Sequence, residues 1–260
     1  MSLQRLLPLF RLLPLTLPLA GSATAALSLH SLHAPAEAGF TGFTAPAVWA
    51  TSAPGSGQLD SNRWAINADG PLTSTPAVFG GDLSGGLGTS TGSESSAGVY
   101  AFDVGSGVTA LGVQPTGTFW TPGMFTLRLH NDTGVTVTSL QVEWTSWLYN
   151  DQGRSSSFRF LHSGDNSLFT PGPPEFDLVS PEAAGAAPVT WESTPRSLAL
   201  TGLQLPAGAD YYLRWGSDDV AGLGSRDEIA LSGVRITPVP EPAVIGFLAL
   251  GSLALLARRR

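Results

Sequence analysis

Four acidic residues around a glycine-rich stretch have side chains that could bind a metal ion. They are Asp218, Asp219, Asp227 and Glu228, and Arg214 and Arg226 lie beside them in the sequence. Carboxylate oxygens in a flexible loop suit Ca²⁺, which takes about six to eight oxygen ligands. Their spacing matches no EF-hand, and an ion-paired turn neutralised by Arg226 is the alternative. The sequence favours the ion-paired turn and predicts no cofactor, and calcium is the one cofactor that stays open.

A second candidate group is aromatic and lies in the segment VEWTSWLY. If this segment is a strand, Trp147 and Tyr149 share one face and Trp144 lies on the other. Exposed aromatic rings can stack on the C–H faces of sugars, so Trp147 and Tyr149 are candidates for glycan binding. The alternative is that both faces are covered, because tryptophan is buried on average.

Catalysis has little support in the sequence. It contains no G-x-S-x-G elbow and no H-E-x-x-H pair, and His130 and His162 alternate with apolar residues as structural histidines do. We predict no catalytic residue and no enzyme activity. A glycosidase remains open, because two carboxylates such as Glu143 and Glu175 could meet in space.

The elements that must position these groups are β-strands. Apolar residues recur with period two in MFTLRLHN, where Phe125, Leu127 and Leu129 share a face, and in four further segments up to residue 236. An odd step at Gly233 predicts a β-bulge in the last of them. The sequence therefore predicts an all-β, antiparallel, jelly-roll-like sandwich over residues 99–237. Residues 26–98 are rich in Gly, Ser and Pro and show few clear strands.

Composition restricts the compartment and the partners. The chain has no cysteine, so no disulfide stabilises it. Between the two terminal segments, eight arginines face nineteen acids, which leaves a net charge close to −11. Such a surface repels nucleic acid. Neutral sugars and Ca²⁺ remain compatible with it.

The N-terminus predicts a secretory signal peptide over residues 1–25. Arg5 and Arg11 supply positive charge, Leu12–Ala20 is apolar, and Ala23-Thr24-Ala25 fits a cleavage site.

The last 23 residues, 238–260, contain a second targeting signal. Val239-Pro240-Glu241-Pro242 precedes a short apolar segment that could form a single membrane-spanning helix, and Arg258, Arg259 and Arg260 follow it. This order resembles the PEP-CTERM sorting signal of Gram-negative bacteria. The resemblance implies export through the inner membrane, transient anchoring by the helix, processing by an exosortase and a final place at the cell surface or outside the cell.

A weaker resemblance covers Tyr211 to Ile236. This segment is similar to the closing hairpin of jelly-roll sandwiches in secreted bacterial proteins, which include concanavalin-like and carbohydrate-binding modules. It departs from that pattern at Ser232-Gly233, where those proteins have an aspartate pair.

These observations together favour a secreted or cell-surface protein with a structural or adhesive role in an exopolysaccharide matrix. A carbohydrate-binding module is the alternative, and a glycan hydrolase is the third reading.

Overall fold

The computed structural model describes residues 26–240. The predicted signal peptide, the apolar segment of the sorting signal and Glu241, Pro242 and Arg258 to Arg260 lie outside the described residues. Val239 and Pro240 follow the last strand, and the Val239 N–H donates to the Ser139 carbonyl at 2.9 Å.

The described chain is all-β, with seventeen strands and one 3-10 turn at Pro174–Phe176. The strands are β1 Leu27–Leu29, β2 Ala36–Ala38, β3 Val48–Thr51, β4 Leu59–Asp60, β5 Trp64–Asn67, β6 Leu83–Ser84, β7 Gly86–Ser90, β8 Gly98–Asp103, β9 Thr109–Gln114, β10 Gly123–Asn131, β11 Leu140–Tyr149, β12 Arg154–Ser163, β13 Thr170–Pro171, β14 Leu178–Val179, β15 Glu192–Leu200, β16 Asp210–Gly222 and β17 Glu228–Pro238. Within this range no helix is long and apolar enough to cross a membrane.

Two seven-stranded sheets form the sandwich. Sheet A has the order β1-β10-β16-β12-β13, with β5 also paired to β10 and β14 to β12. Sheet B has the order β15-β11-β17-β9-β8-β7, with β2 also paired to β17. The strands β4, β3 and β6 form a small third sheet.

The prediction of a purely antiparallel sandwich needs one correction. Three short pairs are parallel: β1 with β10, β3 with β4, and β7 with β8. In each pair at least one partner is a short strand from residues 26–98. Because no tight hairpin joins the two partners of such a pair, the turn does not force the antiparallel direction.

Residues 26–98 contribute to both sheets. β1 and β5 extend sheet A, and β2 and β7 extend sheet B. Their apolar residues, including Phe40, Phe43, Trp49 and Trp64, belong to the same buried cluster as the long strands. This segment therefore forms part of the core that supports the face described below.

The core between the sheets is aromatic. Trp144 stacks on Phe160 with ring centroids 4.9 Å apart, and Trp215 meets both rings edge-on at 6.0 and 5.6 Å. The predicted bulge in β17 is present: the pairing of β11 with β17 shifts between Glu143 and Thr145, and Gly233 has a φ of +60°. The bulge keeps the side chains of Leu231 and Val234 on the inner face across the odd step.

Two fully buried arginines fix surface segments to sheet A. Arg214 donates to the carbonyls of Leu72 and Thr75 at 2.6 and 2.7 Å, and its guanidinium lies 3.3 Å from the centroid of the Phe169 ring. Arg226 donates to the Trp120 carbonyl at 2.7 Å and to several hydroxyl groups. Burial lowers the pKa of each arginine to about 10.

Candidate functional site

The outer face of sheet B holds the aromatic residues singled out in the sequence. Burial alternates strictly along β11, so Trp144 enters the core while Trp147 and Tyr149 point away from it and are partly exposed. The Trp147 Nε1–H donates to the Ser232 hydroxyl on β17 at 2.8 Å, which fixes the indole on this face. The opposed orientation is as predicted, and the glycan-binding role remains a prediction.

A third partly exposed ring, Trp191, was missed in the sequence. Its ring centroid lies 4.8 Å from that of Phe102 and 5.3 Å from that of Tyr149, and its Nε1–H donates to the Thr91 carbonyl at 2.9 Å. Trp191 precedes β15 in a segment without alternation. No pattern in the sequence marks it: only the strand pairing in the structure, with Ser193 opposite Trp147, places Trp191 beside Tyr149.

We call the partly exposed rings of Trp147, Tyr149 and Trp191, together with the buried rings of Tyr100 and Phe102 beneath them, the aromatic surface of sheet B. Small residues lie beneath it. A Cβ added at Gly112 would lie 2.5 Å from Cδ2 of Phe102 and 2.6 Å from Cβ of Ala230. The central strands β9 and β17 therefore leave the space in which rings from the flanking strands lie.

Polar side chains border this surface. Arg235 Nη1 lies 3.2 Å from Glu143 Oε2, and Gln141 donates to the Ser197 hydroxyl at 2.8 Å. Partly exposed rings next to hydroxyl, amide and charged groups can stack on a sugar and bond its hydroxyls. Glu143 is paired with Arg235 at this edge, which is not the arrangement of a free catalytic acid.

The four candidate calcium ligands do not come together. Asp219 forms a bidentate pair with Arg154, at 2.7 and 2.6 Å, and Asp218 accepts the Asp219 N–H at 2.8 Å. The side-chain hydrogen bond from Arg154 lowers the pKa of Asp219. Arg154, rather than Arg226, is therefore the direct partner of this acid. Across residues 26–240, no three acidic, histidine or cysteine side chains are grouped so as to hold one ion.

Asp227 and Glu228 are instead fully buried at the start of β17, next to the end of β11. Asp227 Oδ1 accepts the Gln152 N–H at 2.9 Å, which ties down the turn after β11. Glu228 Oε1 accepts the Glu94 N–H at 2.6 Å. Burial raises the pKa of Asp227, and burial together with the neighbouring Asp151 carboxyl raises the pKa of Glu228 to about 8.

Residues 91–96 cover Glu228 and form one wall of a cleft. The Tyr100 hydroxyl donates to the Ser96 carbonyl at 2.9 Å, and a Cβ added at Gly92 would lie 2.8 Å from the Tyr149 ring. The cleft has a volume of about 720 Å³ and is lined mainly by the segments 42–44 and 89–94. The same short segment therefore contacts the aromatic surface, the buried acid and the cleft.

The two histidines on the long strands have structural partners. His130 Nδ1 lies 2.6 Å from Asp210 Oδ1, and His162 Nδ1 lies 2.6 Å from the Tyr211 hydroxyl. Burial lowers the pKa of His162. Each ring is held by an adjacent strand, as expected of residues that stabilise the sheet.

Comparison with known proteins gives solved structures of low sequence identity, each with a TM-score below 0.5. No protein-family model matches the chain, and no curated protein matches it. The xylan-binding module CBM15 is 10% identical, with 81% of this chain and 99% of that chain covered and a TM-score of 0.37. The K1 cleaved adhesin domain of Lys-gingipain from Porphyromonas gingivalis W83 is 11% identical, with 80% and 99% covered and a TM-score of 0.40. TmCBM61, solved with β-1,4-galactotriose, is 9% identical, with 56% and 83% covered and a TM-score of 0.33.

Proposed function

We propose that this protein is a secreted, non-catalytic β-sandwich that adheres to neutral polysaccharide through the aromatic surface of sheet B. One observation carries the proposal: Trp147, Tyr149 and Trp191 are all partly exposed on the face that points away from the core, where Tyr149 contacts Trp191 and Trp147 packs against the same buried cluster as Trp191. Aromatic rings are enriched among the residues that dominate binding energy, because they offer a large contact area at low entropic cost.

The charge of the body selects the kind of polymer. With a net charge close to −11 between the terminal segments, long-range electrostatics disfavour acidic polysaccharides. Neutral polymers such as xylan, galactan or glucan carry no such penalty. Stacking on ring faces and hydrogen bonds at the polar border then supply the affinity.

The burial of Glu228 supports binding over hydrolysis. A glycosidase needs two carboxyl groups that flank a sugar, either about 5 Å or about 6.5 to 9.5 Å apart, at a site that substrate can reach. Glu228 is fully buried beneath residues 91–96, next to Asp151. In this arrangement the pair does not contact a polymer, so we propose adhesion without cleavage.

The terminal motifs supply the address in this proposal. The signal peptide directs export, and Val239-Pro240-Glu241-Pro242 with Arg258 to Arg260 directs processing by an exosortase after transient anchoring in the inner membrane. The processed protein would then act at the cell surface or in an exopolysaccharide matrix. This address is inferred from the sequence motif alone.

Affinity gel electrophoresis tests the proposal. We expect the protein to be retarded in gels that contain a neutral xylan, galactan or glucan, and to migrate freely in gels that contain an acidic polymer such as alginate. Trp147→Ala should abolish the retardation. A matched control is Phe79→Ala, which removes a partly exposed ring next to Tyr212 on sheet A and should leave it unchanged. Equal retardation of both variants, or none of the wild type by any neutral polymer, would contradict the proposal.

A further inference from the structure

Four buried side-chain oxygens at one edge of the aromatic surface lack a hydrogen-bond donor among the described residues. They are Gln114 Oε1, Asn150 Oδ1, Asp151 Oδ1 and Glu228 Oε2, and Asp227 Oδ2 on the preceding residue is a fifth unpartnered oxygen nearby. Gln114, Asn150 and Glu228 are each at least nine-tenths buried, with 1%, 9% and 0% of their surface exposed. An unpartnered buried oxygen costs about 1 to 3 kcal/mol, and more when it is charged. Four such atoms in one region therefore indicate that they share a partner.

Strand pairing brings these residues together. Glu228 lies opposite Tyr149 across β17 and β11, and Asn150 and Asp151 directly follow Tyr149. On the other side, Ile229 lies opposite Val113, which places Gln114 opposite Glu228 across β9. Residues that face each other on adjacent strands have Cβ atoms about 4.5 to 5.5 Å apart. The Asp151 carboxyl group lies close enough to that of Glu228 to raise its pKa.

The orientation of the Gln114 amide is fixed by its other end. Its Nε2 donates to the carbonyls of Pro115 and Arg226, both at 2.8 Å. The oxygen end therefore points away from these carbonyls, on the outer face that it shares with Glu228. Gln114 Oε1 therefore accepts no hydrogen bond from the described residues, and the same is true of Asp151 Oδ1 and Glu228 Oε2.

Charge gives the second reason for a shared partner. Every ion pair of the described chain involves other acids, and none places an arginine or histidine within 4.0 Å of Asp151 or Glu228. The buried Glu228 carboxyl group and the partly exposed Asp151 carboxyl group, whose Oδ1 is buried, thus lie close together without a basic partner. Such a pair is stable only with a shared proton or with a cation between the two groups.

We propose that Asp151 and Glu228 bind one Ca²⁺ ion, with Gln114 and Asn150 supplying neutral oxygens. The donor set contains oxygen alone, its two carboxylates balance a divalent charge, and the amide oxygens suit the flexible shell of Ca²⁺, which water completes. Of the four acids predicted from the sequence, only Glu228 belongs to this site. The ion would fix the position of the Glu228 carboxylate. Because the Glu94 N–H donates to this carboxylate at 2.6 Å, the ion would also stabilise residues 91–96.

Calcium titration of the purified full-length chain, stripped of metal by a chelator, tests this inference without any glycan. Calorimetry should give one Ca²⁺ per chain. The melting temperature should rise by about 5 to 10 °C when Ca²⁺ is roughly a hundredfold above its dissociation constant. Bound Tb³⁺ should luminesce on excitation of Tyr100 and Tyr149, whose pKa values are both raised in part by Glu228.

Glu228→Gln is the decisive variant, because its amide can donate to Asp151 and keep the chain folded without an ion. It should melt in chelator at or above the temperature of the wild type, and lose both the calcium shift and the Tb³⁺ signal. The matched control is Asp219→Asn, which alters an acid paired with Arg154 and should keep both responses. A wild type that shows no response to millimolar Ca²⁺, or a Glu228→Gln variant that responds as the wild type does, would overturn the inference.

Discussion

At the scale of single residues, His162 gives the chain a dependence of stability on pH. Its ring is buried against the Tyr211 hydroxyl, and burial lowers its pKa in the folded state below the ordinary value of 6.5. Below pH 6.5 the unfolded chain therefore binds more protons at this residue than the folded chain does. The free energy of unfolding must then fall as pH decreases from 6.5 towards the folded pKa.

Replacement of His162 by Gln checks this expectation. Thermal unfolding between pH 7.5 and 5 should show a smaller loss of stability for His162→Gln than for the wild type. The exposed His33 is the control, and His33→Gln should follow the wild-type curve. If His162→Gln and the wild type lose stability in parallel, the buried histidine is not the cause.

The candidate acids show where residue-level reasoning from the sequence ends. Their presence near a glycine-rich loop was readable, but their partners were not. Arg154 reaches Asp219 from a neighbouring strand, and Asp151 reaches Glu228 because β11 pairs with β17. Both contacts join residues more than sixty positions apart, and no local pattern in one sequence specifies such a pairing.

At the scale of elements, the segment 91–96 depends on glycine at one position. Gly92 has a φ of +108°, and a Cβ there would lie 2.8 Å from the Tyr149 ring. Gly88 has a similar φ of +94°, but a Cβ added there would have no neighbouring atom within 4 Å. A substitution at Gly88 would therefore cause backbone strain alone, whereas one at Gly92 would cause backbone strain and a collision with the Tyr149 ring.

We expect Gly92→Ala to lower the free energy of unfolding more than Gly88→Ala does. Backbone strain contributes about 1 to 3 kcal/mol in both variants, and overpacking against Tyr149 adds about 1 to 3 kcal/mol in the first. Urea unfolding followed by tryptophan fluorescence measures the difference. Equal losses in the two variants would show that residues 91–96 do not rest on Tyr149.

Elements with period-two patterns were readable from the sequence, and elements without them were not. β11 alternates along its whole length, so the faces of Trp144 and Trp147 followed directly. The odd step at Gly233 predicted the bulge in β17 for the same reason. The strands before residue 91 have five residues or fewer, too short for an alternating pattern, and they take their conformation from partners such as β10 and β17.

At the scale of the whole molecule, residues 26–98 and 99–240 share one core. β5 pairs with β10, and Trp64 lies 6.1 Å from Trp215, centroid to centroid. A chain that begins at residue 99 would lack β5 and Trp64, and would expose the edge of β10 and the apolar side chains around Trp215 on the inner side of sheet A. We expect that fragment to bind ANS and to lack a cooperative thermal transition, whereas the full-length chain should unfold in one step. A stable, cooperatively unfolding 99–240 fragment would contradict the shared core.

The central claim is that polysaccharide lies on the aromatic surface of sheet B, and hydroxyl-radical footprinting read by mass spectrometry tests it most directly. Of the seven tryptophans, five are buried, while Trp147 and Trp191 are partly exposed. With a neutral polysaccharide that retards the protein, oxidation of Trp147 and Trp191 should fall several-fold relative to that of Tyr212 on sheet A and of Phe79, whose ring packs against Tyr212. Binding that leaves the oxidation of both tryptophans unchanged against these two internal references would contradict the account.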